Sequence, residues 1–218
     1  MSAPRTIVLG DVHGCLRELE ALLRAAEACP SDRLVSVGDL IAKGPDSRGV
    51  LDWALETPNL DCVLGNHELR LLEAWRRGRL PEAKPYDAET CRQLAPDYGR
   101  YISFLSSWPS SVRGAGWFAV HAGFDPRGPA LDRQPRERLA SLRLLEDTGR
   151  PWYEQYAAPR LAVFGHTPRR DGPLVRDNAV GLDTGCVYGG RLTAIILPER
   201  RLVSVPARRA YRSKPSWN

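Results

Sequence analysis

Two kinds of apolar pattern alternate along the chain. Short blocks rich in β-branched residues stand at positions 6–9, 34–37, 60–64, 117–120 and 161–164, each bounded by turn-forming residues, and such blocks read as buried strands. Between the early ones, apolar residues recur at helical spacing. Leu16, Leu19, Leu22 and Leu23 mark one amphipathic helix, and 50–55 and 69–75 repeat the theme. This strand-helix-strand-helix opening predicts an α/β fold with a largely parallel sheet. The later chain is richer in strands, at 179–182, 192–197 and 202–205, and 135–147 reads as a helix. No internal repeat or low-complexity linker interrupts the pattern, which predicts a single domain over residues 1–205 and a basic tail over 206–218. The least regular stretch is 78–109, where Pro81, Pro85 and Pro96 surround a short amphipathic segment.

All four histidines lie in glycine-flanked motifs directly after strand blocks: Gly-Asp11-Val-His13-Gly, Gly-Asn66-His67-Glu68, Val-His121-Ala-Gly123 and Phe-Gly165-His166-Thr. A fifth motif, Gly38-Asp39-Leu-Ile-Ala42-Lys43-Gly44, follows another block and adds a carboxylate. Each motif alone is compatible with a turn whose aspartate or asparagine accepts backbone N–H bonds. A turn does not account for the recurrence of strand, small residue, then oxygen or imidazole donor, and the recurrence points to a metal site. Imidazole, carboxylate and amide oxygen together suit Mn²⁺, Fe or Zn²⁺, and the lack of any C-x-x-C pair argues against a cysteine zinc site. Two such ions about 3.5–4 Å apart can bridge a water, lower its pKa and clamp a phosphoryl group. A shared carboxylate is needed to hold them so close. Asp39 is the natural bridge, since its strand is expected between those leading to Asp11 and Asn66.

GDVHG, GD…G, GNHE, HAG and GHT, in this order between about residues 7 and 197, resemble the phosphoprotein phosphatase family of binuclear metallophosphoesterases. The resemblance implies two facing β-sheets flanked by helices, a four-layer α/β/β/α arrangement with the metal site at strand ends. It also implies that Asp11, His13 and Asp39 hold a first ion, that Asp39, Asn66, His121 and His166 hold a second, and that His67 protonates the leaving group. Two divalent ions are expected, manganese first, with iron or zinc as alternatives, and a bridging hydroxide would attack phosphorus directly without a phosphoenzyme. Where the protein phosphatases carry Asp-Arg-Gly, this chain has Ala42-Lys43-Gly44. Ala42 cannot orient His67, and Lys43 offers phosphate a point charge in place of a bidentate fork. The run from Gly38 to Ser47 looks like the bacterial diadenosine-tetraphosphatase-like branch, so dinucleoside polyphosphates or related polyphosphates are the favoured substrates. GNHE in place of GNHD, and the short chain, keep a serine/threonine or tyrosine phosphoprotein phosphatase open as the alternative. A non-catalytic binding module on the same fold is disfavoured because every expected ligand is present. Arg143 lies upstream of His166 at about the family's distance for a second phosphate-binding arginine, although arginine is abundant here and chance placement stays open. With Lys43 it would neutralise the phosphoryl oxygens. In this family the 78–109 position holds elements that cover the active site, so this segment is expected either to be a substrate-shaping cap or to be a plain surface excursion. Glu68 and Asp183 are expected to serve structure.

Composition adds bounds. A chain of 218 residues with 43% hydrophobic content can bury one sizeable core. No apolar run is long enough to span a bilayer and no signal-peptide pattern opens the chain, so a cytoplasmic protein without membrane contact is expected. Five cysteines without framework spacing fit a reducing compartment. A net charge of +5 admits anionic partners: phosphorylated small molecules, polyphosphate, phosphoproteins or RNA ends. Near the C-terminus Arg208, Arg209, Tyr211, Arg212, Lys214 and Trp217 interleave, which predicts a solvated tail, with nucleic-acid binding as the alternative.

Overall fold

In the computed structural model, which describes residues 5–79 and 84–213, the chain opens as two strand-helix units and a third strand: β1 (Thr6–Leu9), α1 (Leu16–Ala25), β2 (Arg33–Ser36), α2 (Ser47–Leu55) and β3 (Leu60–Cys62). Three helices follow, α3 (Asn66–Arg76), α4 (Pro85–Leu94) and α5 (Tyr98–Ser106), then β4 (Ser111–Gly114), β5 (Trp117–Val120) and α6 (Arg136–Ser141). The chain ends with β6 (Leu161–Phe164), β7 (Leu174–Val175), β8 (Ala179–Gly181), β9 (Arg191–Leu197) and β10 (Arg201–Pro206). Local chemistry sets several boundaries. Asp46 caps α2 by accepting from the Gly49 N–H at 2.7 Å, and α4 stops where Pro96 holds Ala95 extended.

The strands form two five-stranded sheets, ordered β10-β9-β1-β2-β3 and β4-β5-β6-β8-β7. Within them β1, β2 and β3 run parallel, as do β5, β6 and β8, while β9, β10, β4 and β7 join antiparallel. Both sheets are therefore mixed where one largely parallel sheet is expected from the early pattern. Alternation along each strand builds the layers. Val8, Val35 and Val37 of the first sheet meet Trp117, Ala119 and Val163 of the second in one buried cluster. Ile7, Leu9 and Leu34 turn the other way, onto α1, α2 and α3, and Phe118, Val120 and Phe164 turn onto Trp152 and Leu139. The result is the expected helix/sheet/sheet/helix stack.

Three expectations change. The helix expected over 135–147 is only Arg136–Ser141, because Leu142 is extended and the chain folds back through Gly149 at φ 63° to pair Leu144 with Pro151, which leaves Arg143 on a loop. The segment 78–109 is no loose surface excursion. Its Cys91, Leu94, Tyr101, Ile102 and Leu105 are buried in the same cluster as α1 to α3; Pro81 lies outside the described residues. The described part of the basic tail, though Arg208, Arg209 and Ala210 stay exposed, is docked and does not hang free. The Arg208 backbone N–H and the Tyr211 hydroxyl both donate to the buried Glu18 carboxylate, at 2.9 and 2.8 Å, and Arg212 donates to the Lys43 carbonyl at 2.8 Å and pairs with Glu89. A buried carboxylate needs donors, and the tail supplies two of them to Oε1. Lys214 and Trp217 lie outside the described residues. No helix among the described residues is long and apolar enough to cross a membrane.

Candidate metal centre and active site

Every histidine motif begins where a parallel strand ends, so the two sheets deliver them to one rim. β2 lies between β1 and β3, which puts Asp39 in the middle, as the order of motifs predicts. The loops that carry the ligands are strained: His13, Asp39, Ala42, Lys43 and His166 all have positive φ, between 50° and 71°, five of the seven such non-glycine residues among those described. Conformations of this kind cost of order 1 kcal/mol or more each and persist only where the surroundings enforce them. Here the first two loops lace together, His13 N–H to the Asp39 carbonyl at 2.8 Å and Gly14 N–H to the Leu40 carbonyl at 2.7 Å. Gly38, at φ 104°, has no room for a side chain, because a Cβ would come within 2.9 Å of His121 Nδ1 and 2.7 Å of the Gly65 nitrogen.

Three imidazole nitrogens converge on one carboxylate oxygen. Asp39 Oδ2 lies 3.4 Å from His121 Nε2, 3.6 Å from His13 Nε2 and 3.8 Å from His67 Nε2. The far nitrogens are anchored, His13 Nδ1 on the Ile41 carbonyl at 3.1 Å and His121 Nδ1 on the Val37 carbonyl at 2.9 Å, and that anchoring fixes which edge faces inward. The Asn66 amide oxygen sits between His121 Nε2 at 3.1 Å and His166 Nδ1 at 3.0 Å. Ligand atoms of Asp39, His121 and His166 all lie within 4.8 Å of one another, as do those of His13, Asp39 and His67, and each trio could hold a metal ion. Asp11 belongs to neither trio. Its carboxylate is turned to the His166 backbone N–H, which donates to both oxygens at 3.0 and 3.2 Å.

Buried carboxyl groups gather here beside imidazoles and an ammonium. Burial drives the Asp11 carboxyl well above its ordinary range, and Asp183 and Asp39 add to the effect. Burial likewise raises Glu68 to about 7 and Asp183 to about 6. Asp39 goes the other way: although burial opposes its charge, His121, His67 and His13 hold it well below the usual carboxylate range. Burial also opposes charge on His121, but Asp39 and then Asp11 and Glu68 raise it to about 9, whereas burial and the Lys43 ammonium lower His13 to about 3. Four buried carboxyl groups sharing one space with imidazoles suit divalent cations, and the oxygen and nitrogen donor set suits borderline ones.

Above this floor is a cleft of about 390 Å³. Lys43 and Arg143 both line it: Lys43 Nζ donates to His13 Nε2 at 2.9 Å, and Arg143 Nε donates to His166 Nε2 at 3.3 Å. Arg70, Lys84, Tyr86 and Tyr188 line it too, and none of these stands out in the sequence. Arg70 had one available signal, its place three residues after His67 on a helix, where side chains share a face. Glu68 works on the backbone, accepting from the N–H groups of Asp39, Ile41 and Gly65 at 3.0, 3.2 and 3.0 Å, and Asp183 accepts from Gly185 N–H at 3.0 Å in a turn.

Two sheets presenting His/Asp clusters at their strand ends are the architecture of a phosphoesterase. The sequence model of the calcineurin-like phosphoesterase family matches residues 4–201, and the chain belongs to that family, hydrolases of phosphate esters or anhydrides. Among its relatives is the symmetrical bis(5'-nucleosyl)-tetraphosphatase of Edwardsiella ictaluri (strain 93-146), 30% identical, with 95% of this chain and 98% of that one covered. The asymmetrical bis(5'-nucleosyl)-tetraphosphatase of Oceanobacillus iheyensis is 29% identical over 94% of this chain and 93% of its own. A solved structure described as a candidate diadenosine tetraphosphatase superposes with a TM-score of 0.82 at 35% identity, covering 94% of this chain and 95% of that one.

Proposed function

We propose that the protein is a two-metal hydrolase of dinucleoside polyphosphates that cleaves a phosphoanhydride bond. The observation that carries this reading is the cleft itself, in which Lys43, Lys84 and Arg143 line the opening above the Asp39 cluster. Three cations over a carboxylate floor suit a chain of phosphates better than a single phosphomonoester. The tetraphosphatase relatives support the same substrate class.

In this reading Asp11, His13 and Asp39 hold one ion, and Asp39, Asn66, His121 and His166 hold the other, with Asp39 shared. Asp11 would turn its carboxylate from the His166 backbone to do so. Manganese is the favoured metal, iron or zinc the alternatives. Ions so held would activate a water and polarise the phosphoryl oxygens. Lys43 and Arg143 neutralise charge on those oxygens, and His67 presents Nε2–H to the leaving oxygen. Tyr86 and Tyr188 complete the cleft wall, with Arg70 5.6 Å and Lys43 5.4 Å from their ring centres.

A substrate panel tests the reading. With Mn²⁺ at neutral and alkaline pH, diadenosine tetraphosphate should exceed phosphopeptides, capped RNA ends and an aryl phosphate in kcat/KM. Nucleotide products would show where the chain is cut, two ADP for a symmetrical cut and ATP with AMP for an asymmetrical one. A preference for phosphopeptides would replace this reading with the phosphoprotein phosphatase alternative.

A further inference from the structure

Ala42 leaves a gap that the structure fills from another direction. A methyl group cannot bond the His67 ring, yet His67 Nδ1 is not idle: Arg70 Nη2 lies 2.9 Å away. Arg70 is itself gripped by Asp87, through Nε to Oδ2 at 2.9 Å and Nη2 to Oδ1 at 2.7 Å, and Asp87 is almost fully buried on α4. We infer that Arg70, clamped by Asp87, is the positioning residue for His67 and holds it as the neutral tautomer with its proton on Nε2, which fits the site to leaving groups that need no protonation.

A guanidinium has only donors. Nδ1 must therefore be an acceptor, because a ring carrying Nδ1–H would set two donors against each other at 2.9 Å. The one proton of the neutral ring then sits on Nε2, the edge facing Asp39. Two consequences follow. An Nε2 that bears a proton has no lone pair for a metal, so His67 is no ligand even though it lies within ligand reach of His13 and Asp39. An aspartate at position 42 would do the reverse, accepting from Nδ1–H and favouring the doubly protonated ring, which can hand over a whole proton and remain neutral. The ring held by Arg70 would become an imidazolate if it gave up its proton. It instead keeps the proton and donates a hydrogen bond to the leaving oxygen. That suffices when the P–O bond that breaks releases a nucleotide phosphate, which leaves as a stable anion, and falls short when it releases an alkoxide. The segment 78–109 thereby has a task in the reaction, since it carries Asp87.

The inference rests on the proposed hydrolysis of anhydrides, and two measurements separate the two. The first is ¹⁵N-histidine spectroscopy of the metal-free protein at neutral pH. His67 should show Nε2 protonated and Nδ1 bare, and Arg70→Ala should abolish that fixed tautomer. The second is kinetic. Arg70→Ala should lower kcat for diadenosine tetraphosphate by about 10- to 100-fold, the scale for partners that orient active-site histidines, with little change in KM. In a His67→Asn background it should cost almost nothing more. Because loss of Arg70 strands the buried Asp87, the pair Arg70→Met with Asp87→Leu removes both charges and should give the same two results. Ala42→Asp added to that Arg70→Met, Asp87→Leu pair should raise the rate for alkyl phosphates relative to the anhydride. A His67 ring with Nδ1–H in the native protein, or a loss on removing Arg70 that is additive with His67→Asn and falls on KM, would overturn the inference. The substrate reading fails separately, on the panel, if phosphopeptides are preferred while His67 still carries its proton on Nε2.

Discussion

Asp39 is the residue on which both candidate metal trios depend, since each contains it. Asp39→Ala should remove both ions and turnover together, whereas His13→Ala should weaken mainly one ion; metal analysis of the purified variants checks this, and an Asp39→Ala protein with normal turnover would sink the shared-carboxylate arrangement. His121 makes a second prediction. Asp39 and the neighbouring carboxyl groups raise it to about 9 against the pull of burial, and its Nδ1 already donates to the Val37 carbonyl. The ring is thus protonated at pH 7 in the metal-free protein, and Nε2 must shed its proton before it can ligate. Metal uptake at pH 7 should release protons, and affinity should climb as pH rises toward 9. Calorimetric titrations in two buffers of different ionisation enthalpy measure the proton count directly; a value of zero would contradict the charged His121.

At the scale of elements, the parallel pair β1 and β2 is tied at its entry as well as along its ladder. Arg5, just before β1, holds Asp32, just before β2, through bonds of 2.8 and 2.6 Å. The guanidinium keeps the Asp32 carboxyl at about 2, below its ordinary 3.8, while partial burial works against it. A depressed carboxylate contributes stability that is fully present above its unfolded value and is lost as pH falls through the folded one. Asp32→Asn should therefore cost roughly 1–2 kcal/mol at pH 7, a difference that shrinks as pH drops from about 4 to 2. Urea unfolding of both proteins at pH 7 and pH 2.5 tests the sign. An equal gap at both pH values would mean that Asp32 acts through its backbone bond to Cys29 and not through charge.

For the whole molecule, the centre is a place where stability is sacrificed. Five strained backbone positions and four buried carboxyl groups meet there, and bound cations would offset the electrostatic part of that cost. Ions at a hundred times their Kd stabilise a fold by about 2.7 kcal/mol. For a chain of this size each kcal/mol moves Tm by about 2–4 °C, so a chelator should lower Tm by roughly 5–10 °C, and Mn²⁺ should restore it. Asp39→Ala should melt at one temperature with or without metal.

Much of this was legible in the residues. The blocks at 6–9, 117–120 and 161–164 are strands with those same bounds, because a buried strand announces itself by local apolar continuity. The motifs were legible for a related reason: a ligand-bearing loop needs its glycine, its carboxylate and its imidazole within a few consecutive positions. Periodicity says that a face is buried and not what buries it. The antiparallel insertion of β9 beside β1, the docking of Arg208 and Tyr211 on Glu18 across about 190 residues, and the burial of α4 and α5 in the main core are choices of partner, and partners distant in the chain leave no local mark. The same limit governs the site. Ala42 showed that the usual partner of His67 was missing, and composition could not say what replaced it. Arg70 is one arginine among many until α3 turns it toward His67 and α4 brings Asp87 against it. The sequence by itself determined the kind of chemistry, through donors that must be adjacent to their strands; only the tertiary structure decided the protonation geometry of that chemistry, because a hydrogen bond's direction depends on which groups the fold sets face to face.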